Sequence, residues 1–208
     1  MRFLPKDLET YAPEIQEQWI RSVNCMTELI KHYKITEHEQ RSLLPYESFF
    51  HKCRPHQHYT ILVFEQEKKI ELSLVEFTTK WLGQSRWGDV IHHQKHLYYF
   101  TWFATRSDYG HVMIRPETIP DKIFDWLEHV DIDFPENKTF SSKYLVQSGD
   151  EKKLRSAMGE SQLKALAETS GLMMEFKNKS CLLRMPKASD VQETLELCKF
   201  SFALSEIL

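Results

Sequence analysis

The stretch His51-Lys52-Cys53-Arg54-Pro55-His56-Gln57-His58 places three imidazoles and a thiol within eight residues. Imidazole nitrogen and thiolate sulfur are donors that zinc accepts together, so His51, Cys53, His56 and His58 are the candidate ligands of one metal ion. Structural zinc sites generally join two separated ligand pairs, whereas these four donors share one short arc. Arg54 adds a positive charge where a cation would sit, and Pro55 holds Arg54 extended. The segment therefore reads first as the approach to a strand at Tyr59, with its imidazoles facing water. His92 and His96 extend the metal reading, because strand alternation gives them one face.

Three other groupings could do chemistry. Cys53 with His56 nearby would be a nucleophile and base, but catalysis also needs an oxyanion hole, and no elbow-like motif surrounds either residue. Asp131-Ile132-Asp133 puts two carboxylates on one face, enough for acid–base work or a metal. Its ordinary reading buries Ile132 and Phe134 and leaves the aspartates in water. Tyr98, Phe100 and Trp102 share a face of a strand and could line a cleft for a small apolar or lipid-like ligand. No G-x-G-x-x-G and no P-loop is present, so nucleotide cradling has no signature and no cofactor is implied.

The elements that would position these residues are legible from periodicity. Pro13 suits a first helical position, and Ile15, Trp19, Val23, Met26, Ile30 and Tyr33 recur at spacings of three and four, predicting a long amphipathic helix. Thr36-Glu37-His38-Glu39 has capping-box spacing and predicts a short second helix ended by Pro45. From Tyr59 the period becomes two. Tyr59–Phe64 and Ile70–Leu74 read as a hairpin, with a slip in alternation at Leu74–Phe77 that suggests a bulge. Gly83 to Gly88 reads as a loop. Leu97–Phe103 is apolar on both faces and belongs in the middle of a sheet.

Further along, His111–Arg115 and Phe140–Val146 read as strands, and Asp121–Val130 as a helix. Ser148-Gly149-Asp150-Glu151 opens another helix, Ser161–Ser170 forms a second, and Gly171 stops it. Leu172–Phe176 and Ser180–Arg184 flank the turn Lys177-Asn178-Lys179. Ser189-Asp190-Val191-Gln192 caps a closing helix with Val191, Leu195, Cys198 and Phe202 on one side. Hairpins with helices grouped at the ends predict an α+β fold: an antiparallel sheet built from hairpins, flanking helices, and long N- and C-terminal helices. Residues 1–44 are expected to form a helical extension packing on the domain or a partner, and 45–208 a single α+β domain.

Composition narrows the function classes. In 208 residues, 27 basic side chains face 30 acidic ones, a formal charge of −3 without a basic run, which sets nucleic acid aside. Four dispersed cysteines without a C-x-x-C pair point to free thiols in a reducing cytoplasm. The opening residues turn polar at once, unlike a leader, and the longest apolar run falls far short of a membrane span, which leaves only peripheral association open.

The phrases "MIRPETIPDKIF", "HVDIDFPENKTFSSKYLVQSGDEKKLRSAMGESQLKAL" and "GLMMEFKNKSCLL" resemble an uncharacterised family of bacterial domains, over roughly residues 46–184. The resemblance implies an α+β domain, often placed behind transmembrane helices and facing the cytoplasm, with no assigned activity or catalytic residues. The polar first helix, with Glu17, Arg21, Glu28 and Lys31, departs from a membrane tether. The expectation is a non-catalytic interaction or regulatory module that self-associates or meets a protein partner through its terminal helices. The alternatives are a metal-binding protein or metal-dependent hydrolase using His51–His58, and a binder of an apolar ligand.

Overall fold

Segments with period-two patterning pair into one sheet. The structure, a computed structural model, describes all residues except 1–3, 6, 44, 47–48, 51–54, 86–87, 118–130 and 187–189, and the backbone alone at 79–85, 88–89 and 91–93. The strands are β1 (Lys34–His38), β2 (His56–Glu65), β3 (Lys68–Ser85), β4 (Gly88–Ala104), β5 (His111–Pro116), β6 (Tyr144–Ser148), β7 (Met173–Lys177) and β8 (Ser180–Arg184). They run in the order β1-β2-β3-β4-β8-β7-β5-β6, each neighbouring pair antiparallel. The helices are α1 (Pro13–His32), the single turn α2 (Lys138–Ser141), α3 (Glu151–Ala157), α4 (Glu160–Glu168) and α5 (Val191–Ile207). This is an α+β protein on an antiparallel sheet. None of its described helices is long and apolar enough to cross a membrane.

The sheet is covered on both faces, by different means. One face carries Ile61, Val63, Leu72, Leu74, Leu97 and Tyr99, and α1 and α5 close it with Trp19, Met26, Leu29, Leu197 and Phe202. The other face carries Val75, Phe77, Phe100 and Leu182. It is closed by an irregular strap, the described residues between 39 and 50, through Leu43, Tyr46, Phe49 and Phe50. Double coverage explains why β3 buries every residue from Ile70 to Val75, polar ones included. It also removes the need for a bulge at Leu74–Phe77: Leu74 faces the helices and Val75 the strap. The register shift lies across the ladder, on β2 between Gln57 and Tyr59.

Several expected elements change type. Thr36–Glu39 opens no helix; Lys34–His38 is an edge strand, with Ile35 opposite Val63. Residues 1–44 thus supply a helix of the core, an edge strand and, in Leu43, part of the strap's apolar contact. The loop expected at Gly83–Gly88 shrinks, because β3 runs to Ser85 and β4 resumes at Gly88. Phe140 lies in α2, whose Asn137 side chain accepts a bond from the Phe140 N–H, so the strand starts only at Tyr144. On α1, Ile30 is 56% exposed and Leu29 takes its place in the core. The caps of α3 and α5 are Asp150 and Asp190, each accepting from the N–H three residues on. The helix expected at Asp121–Val130 lies outside the described residues.

Candidate functional site

The longest ladder in the sheet is also the least supported. β2 accompanies β3 only as far as the pair His56–Glu76, and β8 accompanies β4 only along Phe100–Ala104. β3 and β4 continue pairing with each other from Phe77–His96 out to Ser85–Gly88. Nine residues of each strand, about 30 Å at ~3.3 Å per residue, form a two-stranded ribbon beyond the rest of the sheet. An isolated two-stranded hairpin is marginal in water, so this ribbon draws its order from the body at its root. Residues 77–96 carry three basic residues (Lys80, Arg86, Lys95) and one acidic (Asp89), a charge of +2 against −5 for the remainder of the chain.

At the root of the ribbon the structure gathers two of the predicted histidines. The register shift on β2 brings His58 onto the helix-covered face beside Tyr59. His58 stands edge-on to Trp19, centroids 4.5 Å apart, and to His56 at 4.6 Å. His58 Nε2 lies 3.5 Å from Glu76 Oε2, and Lys95 Nζ donates to Glu76 Oε1 at 2.9 Å. The nearby His58 imidazole, followed by the Lys95 ammonium, outweighs burial and holds the Glu76 carboxyl at about 2. Lys95 in turn sits 5.6 Å from the Tyr11 ring, and Gln18 Oε1 of α1 accepts the Leu97 N–H at 2.8 Å. The cluster is a brace that ties α1 to the strands where the ribbon leaves the sheet.

Of the proposed metal ligands, His51 and Cys53 lie outside the described residues, while His56 is exposed and His58 half-buried. No group of three or more His, Cys, Asp or Glu placed to hold a metal occurs among the described residues. Glu76, the carboxylate beside His58, already neutralises the Lys95 ammonium. His96 stacks near Phe77 at 5.5 Å, and burial together with Arg184 lowers its pKa; His92 lies four residues back on β4. The described cysteines, Cys25, Cys181 and Cys198, are free and buried, and burial pushes all three thiols up, Cys25 to about 11. Such thiols are poor nucleophiles.

The other two groupings have structural employment. Asp133 is exposed and Asp131 partly so, but Asp131 has a structural partner: its Oδ1 accepts the Val146 N–H at 2.6 Å, and Ile132 N–H donates to Val146 C=O at 2.9 Å, on the outer edge of β6. The aromatic face of β4 is not an open cleft. Phe49 and Phe50 pack on Phe100, and Arg41 stacks on Trp102 at 3.5 Å while forking onto Glu71 at 2.7 and 2.9 Å. Trp102 Nε1 donates to Tyr46 Oη at 2.6 Å, which donates to Ser180 Oγ at 2.9 Å. Fully buried Glu175 accepts the Phe49 N–H at 2.9 Å and pairs with His111 at 2.7 Å. Periodicity could not reveal Glu71 or Glu175, because alternation marks both as solvent-facing until the strap covers them. The described residues also outline an open depression of about 370 Å3 beside Glu117, Phe134 and Lys138.

No family model matches the chain, and no curated protein does. Among solved structures it is similar to the crystal structure of the mycobacterial trehalose monomycolate transport factor A, TtfA. That match has 12% identity and a TM-score of 0.40, over 90% of this chain and 96% of that one. A likeness so distant assigns no activity. The fold and the site together define an α+β body with both sheet faces filled by its own chain and a ribbon left over.

Proposed function

We propose that the protein is a non-catalytic interaction module and that the β3–β4 ribbon is its working part. One observation carries the reading: nine consecutive cross-strand pairs lie beyond any neighbouring strand among the described residues. Chain order of that length has a cost in conformational entropy and returns little buried area in the free protein. Strand ribbons of this kind acquire contacts by pairing with another chain. Glu76, Glu71, Glu175, Asp131, Asp150 and Asp190 serve as braces, pins and caps. The likeness of residues 46–184 to bacterial domains without an assigned activity accords with this, and free buried thiols suit a reducing cytoplasm.

The test is a shortened chain in which residues 79–94 are replaced by Asn-Gly, joining Thr78 to Lys95, which already face each other. The body should keep its melting temperature. Tagged intact and shortened chains are then compared for stoichiometric retention of untagged chain or another protein from their own cell extract. Retention by the intact chain alone is expected. Equal retention by both, including none by either, refutes the reading.

A further inference from the structure

The ribbon has two long edges, and they differ. The β4 edge carries Asp89, His92, His93, Lys95 and His96, and at its root Gln18 occupies the Leu97 N–H. The β3 edge from Thr79 to Ser85 reads Thr-Lys-Trp-Leu-Gly-Gln-Ser: one charge, no proline, no bulge, and no described strand alongside. Charge, proline, bulges and short length are the devices that keep edges from pairing with other chains. Here nearly all of them are missing from one particular edge, while other edges of the same sheet are closed. Such an edge is complementary to an uncharged strand.

We infer that the β3 edge over Thr79–Ser85 pairs antiparallel with the same edge of a second copy, making a twofold dimer joined through the ribbons. This rests on the interaction-module reading and names its partner. Charge favours a second copy in two ways. Paired over all of Thr79–Ser85, the two edges set each Lys80 opposite the partner's Gln84, so no like charges meet across the seam. Antiparallel pairing also directs each ribbon, whose residues 77–96 carry a net charge of +2, toward the root of its partner's ribbon and thus toward a body of net charge −5. The twofold makes the contact self-limiting, because each copy uses this edge once. Burial of the ribbon in a bilayer is disfavoured, since an open strand edge leaves N–H and C=O groups unsatisfied in hydrocarbon.

Sedimentation of the purified intact chain, at up to about 100 µM, reads the stoichiometry directly. Hydrogen exchange at low and high protein concentration then locates the seam. The expected result is a dimer whose amides at 79–85 gain protection with concentration. A variant with Thr79→Lys and Gln84→Lys should bind itself at least ~10-fold more weakly at an unchanged melting temperature. A variant with Ile20→Lys and Ile30→Lys on the exposed side of α1 should stay dimeric. Three results overturn the inference: a monomer throughout, a dimer with concentration-independent exchange at 79–85, or a dimer lost only in the α1 variant. A monomeric chain whose ribbon is still needed to retain another protein would sink the dimer and leave the module reading standing. A monomer indifferent to ribbon shortening would sink both.

Discussion

The sheet ends in two ways. At β1 the edge is five residues long, with Lys34, Glu37 and His38 exposed. At β6 the edge is covered, because Asp131 and Ile132 take up the outward N–H and C=O of Val146. Both are edges built to remain alone. Along Thr79–Ser85 the same chain leaves a longer edge with one charge and no cover among the described residues. The difference teaches that the ribbon is not an accident of a careless sequence. The proposed use of the third edge rests on this contrast with the two edges that the chain closes by separate devices.

The comparison can be broken most forcefully by asking whether the ribbon carries any of the body's stability. Phe176 is fully buried, its ring 4.6 Å from that of Tyr109, and Phe176→Ala should cost about 3–5 kcal/mol in chemical denaturation. Val90→Ala, at a ribbon position 41% exposed, should cost less than ~0.5 kcal/mol in dilute protein. Comparable costs would mean that the ribbon belongs to the core. Next in size is the covered edge. Asp131→Ala removes a charged acceptor from the buried Val146 N–H and should cost about 1–3 kcal/mol, with exchange at Val146 accelerating before the rest of the sheet.

The brace at the ribbon's root gives a pH signature. Glu76 has a folded pKa of about 2 against an ordinary 4.5, a depressed carboxylate. Its stabilisation is therefore complete above 4.5 and is lost as pH falls from there toward 2. Discounted for the solvent that reaches the pair, the effect is about 1–2 kcal/mol. Comparing wild type with Glu76→Gln between pH 6 and pH 2 isolates it: the variant should be less stable at pH 6, and the gap should close in acid. A gap that stays constant would show that Glu76 is not held ionised by His58 and Lys95.

How much of this was legible beforehand follows the range of the forces involved. The hairpin at 172–184 and the start of α1 at Pro13 were readable because their signals, Asn178 in the left-handed region and Pro at the first turn, act within a few residues. β1 has the local pattern of a helix start because Thr36 and Glu39 imitate a cap, while the decisive partner, Val63, lies far along the chain. Ile30 fits the helical period as well as Leu29 does, and only the position of the sheet decides between them. The His56–His58 proximity was legible, but Glu76 and Lys95 come from other strands. The ribbon was hidden by Gly83 and Gly88, which signal a loop by themselves. Strand continuation through them depends on the register already set between Glu71 and Trp102.

The smallest expected effect on stability is also the sharpest test of what guards an edge. Lys34 and Glu37 of β1 face Phe64 and Ile61 in register and are both exposed. Replacing both with Thr keeps strand propensity and should change unfolding free energy by less than ~0.5 kcal/mol. It should nevertheless give the chain a second open edge. Two open edges per copy no longer close on a twofold axis, so the variant should assemble beyond the dimer as concentration rises, visible by light scattering. The same pair of changes in a chain that already carries Thr79→Lys and Gln84→Lys should stop at a dimer formed through β1. If Lys34→Thr with Glu37→Thr leaves the assembly state untouched, shortness alone protects β1, and edge charge is the wrong explanation for why Thr79–Ser85 is open to a partner.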